Sequence, residues 1–413
     1  MKVIIIGMGP AGMMAAIKAA ENGNDVCIIE KNKEAGKKLN ITGKGRCNIS
    51  FVGDKEYFLN NVVTNPKFML SAINSLDNKA LIDYINSLGV KTKEERGNRI
   101  FLASDKACEL TNALLKELKK KSVNIKYNLK VCEVVTEENE VKGVKLDTGE
   151  TIKADKVIIA TGGKSYMATG STGDGYLIAK KLGHSIIDIK PALVPLILKE
   201  KSICKSLMGV TLRNVKMKVF VENKLYDEHF GEMLFTNKGI TGPIVLSSSS
   251  KLNKINTQEL TKDNKIKITI DLKPALSFDE LYKRITKDFS KYSNKEFKNA
   301  MNDLIIQSLI PIIIQKSGIS EKTKANSITK VEKERLTNLF KNFEFTLDRL
   351  EDVNVGIVTS GGINTKEINP KTMESKLISG LYFAGEIIDV DALTGGFNLQ
   401  IAFSTGYVAG NNI

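Results

Sequence analysis

The 413-residue sequence predicts an α/β protein that has a strand–helix–strand domain and, in the middle of the chain, antiparallel strands and a helical segment. Three observations support this fold class. The chain opens with an apolar strand, a glycine-rich turn and a helix-compatible run. Half-buried strands and capped helices follow from about residue 191, and the final part returns to buried strands and a helix. Two or three domains are expected at this length, because one hydrophobic core rarely grows so large.

The glycine-rich turn lies in VIIIGMGPAG, residues 3–12, where Gly7, Gly9 and Gly12 have the spacing G-x-G-x-x-G. The first glycine permits a tight turn, the second lets the backbone approach a pyrophosphate, and the third lets helix and strand pack closely. A second apolar strand, VCIIE, ends at Glu30, where an acid binds the ribose hydroxyls of an adenosine without a 2′-phosphate. The combination predicts FAD or NAD as the ligand rather than NADP.

The loop KNKEAGKKLNITGKGRCNIS, residues 31–50, is too rich in Gly, Lys and Asn to predict a regular element. Gly43 and Gly45 allow close backbone approach to a ligand. Positive charge directed at that ligand is expected from Lys37, Lys38 and Arg46. A solvated basic loop is the alternative. Cys47 is interpreted as structural, because no second cysteine is near it in the sequence.

Residues 105–121 have apolar side chains at helical spacing, and a later buried strand ends on Ala-Thr-Gly at residues 160–162. GSTGDG, residues 170–175, begins another helix but lacks the spacing of a second nucleotide motif. VKMKVFVEN and KIKITIDL then alternate apolar and polar residues, as the strands of a small barrel do. Capping boxes that start at Ser277, Ser293 and Thr329 predict a helical insert over residues 275–345.

The end of the chain brings glycines and an acid to two turns. Gly385 and Glu386 follow an apolar strand, while Gly395, Gly396 and Asn398 precede a helix rich in Gly, Ala and Ser. Such a helix packs its backbone close to a neighbour, and its N-terminal N–H groups suit an electron-rich ligand edge. The alternative is a packing helix that contacts no ligand.

The composition of the chain limits which kinds of binding partner are expected. A net charge of +14 is typical of proteins that bind nucleic acid. However, only seven of the 61 basic residues are Arg, and the Lys residues are spread along the chain. A small-molecule substrate is therefore favoured over nucleic acid. No apolar run predicts a membrane span, and the N-terminus shows no signal-peptide pattern, so a cytoplasmic protein without a membrane partner is expected. Five scattered cysteines and two histidines predict free thiols and no metal site. The oligomeric state is left open.

Several long blocks resemble the YhiN/BaiN-like FAD-dependent oxidoreductases, also grouped as the aminoacetone oxidase family. The blocks span nearly the whole chain and include GMGPAGMMAA, KKLNITGKGRCNIS, IATGGKSYMATGSTGDGYLIAKKLGH, PALVPL, GEMLFTNKGITGP and GLYFAGEIIDVDALTGGFNLQIAFSTG. Lys44 replaces a glycine that is usual in the family, and Ala392 replaces another.

The resemblance implies a two-dinucleotide-binding, Rossmann-like FAD domain made of residues 1–190 and 355–413. It also implies a β-barrel-like insert of residues 191–274 and 346–354 and the helical insert of residues 275–345. The cofactor-binding residues that it implies, with those read from the motifs, are Gly7, Gly9, Pro10, Ala11, Gly12, Glu30, Lys31, Lys37, Lys38, Thr42, Gly43, Gly45, Arg46, Cys47, Asn48, Val131, Ala160, Thr161, Gly162, Gly385, Glu386, Gly395, Gly396, Phe397, Asn398, Leu399 and Gln400.

The expected function is therefore an FAD-dependent oxidoreductase, in which the flavin carries the redox chemistry and no catalytic side chain is assigned. NAD(P)H as a transient co-substrate, an internal reductant and oxygen all remain open as redox partners. Tyr166, Arg46 and Glu386 are candidates to face a substrate, whereas His184 and His229 are interpreted as structural. The alternative function is a nucleic-acid-associated flavoprotein, such as a flavin-dependent RNA-modifying enzyme.

Overall fold

A computed structural model of the chain describes residues 1–352 and 354–413. The strands are β1 Lys2–Ile6, β2 Asp25–Glu30, β3 Asn48–Phe51, β4 Thr92–Glu95, β5 Arg99–Leu102, β6 Asn124–Tyr127, β7 Val131–Glu137, β8 Glu140–Leu146, β9 Thr151–Lys153, β10 Lys156–Ile159, β11 Ile186–Ala192, β12 Leu196–Leu198, β13 Thr211–Val221, β14 Lys224–Phe235, β15 Gly239–Thr241, β16 Ile266–Asp271, β17 Phe343–Leu350, β18 Val358–Ile363 and β19 Leu381–Phe383.

The helices are α1 Pro10–Glu21, α2 Lys37–Ile41, α3 Lys55–Asn61, α4 Leu70–Ser75, α5 Asn78–Ser87, α6 Ala107–Lys120, α7 Asp174–Lys181, α8 Lys201–Ser206, α9 Pro243–Leu252, α10 Thr257–Lys262, α11 Phe278–Lys291, α12 Phe297–Ala300, α13 Ile310–Ser317, α14 Lys330–Lys341 and α15 Phe397–Asn411. Across the residues that the structure describes, no helix is both long enough and apolar enough to span a bilayer.

The chain forms two compact units. The first unit, residues 1–192 with 352–413, contains a parallel sheet of order β19-β10-β1-β2-β6. β1 is central and fully apolar from residue 3 to residue 6, as a strand covered on both faces must be. Since the carboxyl ends of parallel strands share one edge, the turns that follow β1, β2, β10 and β19 meet there, which is where such sheets bind ligands.

The second unit, residues 193–351, contains a closed barrel of order β12-β15-β14-β13-β16-β17 together with helices α8–α14. Val215, Met217 and Val219 alternate inward along β13 and are buried. The predicted α/β fold class with an antiparallel barrel is therefore confirmed. The finer division of this unit into barrel and helical domains stays a prediction.

Two local predictions were wrong. Residues 31–50 do contain regular structure, since α2 and a 3-10 turn at Thr42–Gly45 form around the fully buried Leu39. No helix starts at Ser293 either, because Glu296 forms an extended bridge with Lys324 and its carboxylate pairs with Lys298 at 3.3 Å. The capping boxes at Ser277 and Thr329 are confirmed.

Candidate functional site

The turn after β1 is built for close approach of backbone and ligand. Gly7 has φ +100°, and a Cβ there would lie 2.7 Å from the carbonyl oxygen of Ala160. A Cβ on Gly9 would meet no protein atom within 4 Å, so this side of the turn is open. α1 then begins at Pro10 without a side-chain cap. Its first N–H groups are thus available to an anion, as a pyrophosphate requires.

Glu30 ends β2 and is nearly buried. One carboxylate oxygen accepts a hydrogen bond from the backbone N–H of Met8 at 2.8 Å, and the other accepts from the backbone N–H of Asn32 at 2.8 Å and from its amide at 2.7 Å. These three contacts fix the carboxylate beside the glycine turn. A carboxylate has about four acceptor positions, so it can still accept a bond from a ribose hydroxyl.

A polar cavity of about 490 Å³ lies beside Glu30 and is lined by residues that include Lys31, Lys130 and Asp174. Lys31 is 2.6 Å and Lys130 is 3.1 Å from the carboxylate of Asp174. Burial by itself raises the pKa of Asp174, but hydrogen bonds from Lys31, Thr172 and Lys130 outweigh it and bring the pKa to about 2. Lys31, a predicted ribose contact, is therefore held by the ionised carboxylate of Asp174. The sequence motifs did not predict this partner.

The turn after β10 carries an orphan polar group. The hydroxyl of Thr161 is buried and has no hydrogen-bond partner among the residues described. Gly162 beside it has φ +74°, and Ala160 precedes it at 5% exposure. Because buried hydroxyls are almost always hydrogen-bonded, Thr161 marks a place for a ligand or ordered water. Val131, the predicted adenine neighbour, is the first residue of β7 and is buried.

Glu386, in the turn after β19, is the centre of a hydrogen-bonded cluster. Its carboxylate accepts from the Lys38 ammonium at 2.7 and 2.9 Å, from the Ser165 hydroxyl at 3.1 Å and from the Thr359 backbone N–H at 2.8 Å. Lys38 also donates to Ser165 at 2.7 Å. The motifs indicated Lys38 and Glu386 but missed Ser165 and Thr359, because only the fold brings four distant segments together.

The N-terminus of α15 is shaped by Gly395 and Gly396, which have φ +139° and +96°. Asn398 accepts from the Ala392 N–H at 3.0 Å and donates to the Ala392 carbonyl at 2.8 Å, so its side chain clamps the preceding turn. Gln400 is fully buried and accepts from Ser50 at 2.7 Å. Both side chains form hydrogen bonds with other residues of the protein. The groups left to face a ligand are therefore the backbone N–H groups of the first turn, at residues 397–399.

Other predicted residues lie around α2. The guanidinium of Arg46 pairs with Glu95 and Asp105 and lies 4.4 Å from the centre of the Phe101 ring, so two carboxylates already balance its charge. Cys47 is fully buried, and burial raises the pKa of its thiol to about 12, which excludes a thiolate nucleophile at neutral pH. The remaining predicted residues of this segment lie in α2, in the 3-10 turn and at the start of β3: Lys37, Thr42, Gly43, Gly45 and Asn48.

α15 packs directly on α1 and joins the two predicted halves of the site. A Cβ on Gly406 would lie 2.3 Å from the Ala11 carbonyl oxygen, and one on Gly410 would lie 2.2 Å from that of Ala15. The predicted close packing of the small-residue helix is therefore confirmed. The open face at Gly9, the orphan hydroxyl of Thr161 and two uncapped helix N-termini fit FAD, whose pyrophosphate and flavin would each meet one helix end.

Fold and site together define an FAD-dependent oxidoreductase. The chain belongs to the HI0933-like family, since the model of the HI0933-like protein Rossmann domain matches residues 1–412. The predicted membership of the YhiN/BaiN-like flavoproteins is thereby confirmed.

The chain is 31% identical to the 3-dehydro-bile acid delta(4,6)-reductase of Clostridium scindens over 99% of this chain and 98% of that protein. It is 29% identical to the ribosomal RNA dihydrouridine synthase of Haemophilus influenzae over the same shares. Its fold is similar to that of the 3-ketosteroid-delta4-(5alpha)-dehydrogenase of Rhodococcus jostii, with a TM-score of 0.54, 15% identity and coverage of 99% and 96% of the two chains.

Proposed function

We propose that this flavoenzyme reduces a carbon–carbon double bond conjugated to a carbonyl, with NAD(P)H as the electron donor. The observation that carries the cofactor assignment is the contact of Gly406 with Ala11, which joins two uncapped helix N-termini in one unit. The substrate class rests on two of the relatives named above, because a 3-oxo-4,6-diene and a uracil ring each contain a double bond conjugated to a carbonyl.

Bound FAD supplies hydride transfer. In the substrate, the carbon β to the carbonyl accepts the hydride and the α carbon accepts a proton, so the double bond is lost and the electron pair comes ultimately from NAD(P)H. The residues of this chain position the cofactor: the first turn of α1 would hold the pyrophosphate, Glu30 the ribose, and the first turn of α15 the electron-rich edge of the ring.

Of the three predicted substrate-facing side chains, Arg46 and Glu386 are already paired. Tyr166 is 36% exposed, and its hydroxyl has no partner among the described residues. Its backbone has φ +52°, a left-handed conformation that a large side chain adopts only when its surroundings impose it. Because its hydroxyl is free to meet a substrate, we propose Tyr166 as the proton donor. Tyr166→Phe would lower the rate of double-bond reduction without weakening FAD binding.

The function is tested with the FAD-loaded protein under anaerobic conditions. Mixing with NADH or NADPH should bleach the flavin absorbance, and addition of 4-androstene-3,17-dione should restore it with formation of a product two hydrogens heavier. The saturated 3,17-dione is the matched control and should not restore it. Restoration by both ketones, or by neither this enone nor a uridine-containing RNA, would contradict the proposed substrate class.

A second candidate is uracil in RNA, and the distribution of charge favours it. The second unit has 28 Lys and Arg against 19 Asp and Glu, so it carries +9 of the net +14 in fewer than half of the residues. A transcribed ribosomal RNA incubated with the protein and NADPH tests it, because dihydrouridine is two mass units heavier than uridine in a nuclease digest. An unchanged uridine mass would exclude this substrate.

A further inference from the structure

We propose that the exposed face of α11 in the second unit binds the phosphodiester backbone of RNA. This proposal rests on the second candidate function. The face is formed by Lys283, Lys287 and Lys291, spaced four residues apart, and by Lys295 in the turn that follows; we call these four residues the α11 strip.

The α11 strip is a row of like charges on one side of a helix. Successive lysines at this spacing are separated by a rise of about 6 Å, which is shorter than the Debye length of about 8 Å at physiological ionic strength. Lys291 and Lys295 both contact the Tyr292 ring, at 4.7 and 4.1 Å from its centre. Like charges at i and i+4 destabilise an isolated helix, and a polyanion would remove that penalty.

Three carboxylates near the strip have partners, whereas Asp279 is exposed in the first turn of α11, four residues before Lys283. Asp288 is nearly buried and pairs with Arg284 at 2.8 Å, while Glu280 caps the helix through Ser277. Asp303 contacts Lys291 at 3.5 Å and also the Tyr292 hydroxyl. In the part of the chain that the structure describes, Lys283, Lys287 and Lys295 form no ion pair.

The strip fits RNA better than an anionic lipid surface. Helices that bind membranes insert apolar side chains beside their basic ones. Here Leu281, Ile285 and Phe289 are all buried in the core of the second unit. Phe278, the first residue of α11, is an exposed apolar side chain at the end of the helix, before the strip begins. Along the strip itself the exposed side chains are mainly lysines, as on a phosphate-binding surface.

The test measures binding of a labelled 30-nucleotide uridine-rich RNA to the FAD-loaded full chain by anisotropy at 50 and 200 mM KCl, without NAD(P)H. The variant K283Q/K287Q/K295Q removes three unpaired charges from the strip. The matched control K79Q/K119Q/K180Q removes three exposed helical lysines from the first unit, where none forms an ion pair among the described residues.

The strip variant should bind about tenfold more weakly, and its log–log salt slope should be shallower by about 2, since each phosphate contact on a single strand contributes about 0.7. The control should bind like the wild type. Wild-type binding without a salt slope, equal losses in both variants, or binding to phosphatidylserine vesicles but not to RNA would each overturn the proposal. The binding assay does not require catalytic turnover. RNA binding without dihydrouridine formation would therefore support the α11 strip as an RNA-binding surface and reject only the proposed RNA modification.

Discussion

Substitution of Gly406 by Ala tests whether the contact between α15 and α1 holds the cofactor site together. The new Cβ would lie 2.3 Å from the Ala11 carbonyl oxygen, and because both atoms are close to helix backbones the helices must separate by about 0.7 Å or more. Overpacking of this kind costs about 1–3 kcal/mol, and the better helix propensity of Ala returns up to about 1 kcal/mol. A net loss of about 1–2 kcal/mol should lower the unfolding temperature by about 2–8 °C.

The same change should weaken FAD binding, because Ala11 lies in the first turn of α1, where the N–H groups would contact the pyrophosphate. Loss of one hydrogen bond to a charged group costs about 1.5–3 kcal/mol, which corresponds to a Kd about 10–100 times higher. Flavin fluorescence titration of the apoprotein measures it.

Gly410→Ala is the matched control for that titration, since its Cβ would lie 2.2 Å from the Ala15 carbonyl oxygen, one turn further from the glycine turn. It should lower the unfolding temperature similarly but affect FAD less. Wild-type FAD affinity in Gly406→Ala, or an equal loss of affinity in Gly410→Ala, would refute the reasoning.

Three further outcomes are expected. Asn398→Asp should weaken FAD retention in a filtration assay, because a carboxylate cannot donate to the Ala392 carbonyl and the turn before α15 would open; unchanged retention would argue against the clamp. Lys44→Gly should raise the unfolding temperature slightly, since Lys44 has φ +59° and a left-handed lysine is strained by about 1 kcal/mol; a lower temperature would show that its side chain contributes more than the strain. Burial lowers the pKa of His184 below its ordinary 6.5 despite Glu367 nearby, so the unfolded state binds the proton first and stability should fall as pH drops from about 7 to 5.5. Urea unfolding of His184→Gln should show a weaker dependence over that range, and an identical dependence would exclude His184 as the cause.

Much of the first unit could be predicted because its signals are local. G-x-G-x-x-G between an apolar strand and a helix needs no distant contact to be recognised, and it correctly predicted β1, α1 and β2. The alternation in β13 and β16 likewise predicted inward-facing residues, since a period of two reports which face is buried.

Side-chain roles at the site were harder to predict, because they depend on partners far away in the sequence. The loop alone could not predict that Arg46 pairs with Glu95, at the end of β4, and with Asp105, in the turn after β5. Gln400 lies in the predicted segment but donates to Leu76, 324 residues away. No local sequence pattern encodes such pairs. The hydrogen-bonded cluster around Glu386 could not be predicted from the sequence for the same reason.

The order of synthesis gives the sheet arrangement a temporal meaning. β1 leaves the ribosome before β19 and α15, so its sheet is complete only after β19 and its neighbour α1 is packed only after α15. At a translation rate of about 5–20 residues per second, roughly 20–80 seconds pass between synthesis of the glycine turn and synthesis of α15. The contiguous second unit can fold during that delay, so cofactor loading is a late event, and a polypeptide halted before α15 should emerge colourless.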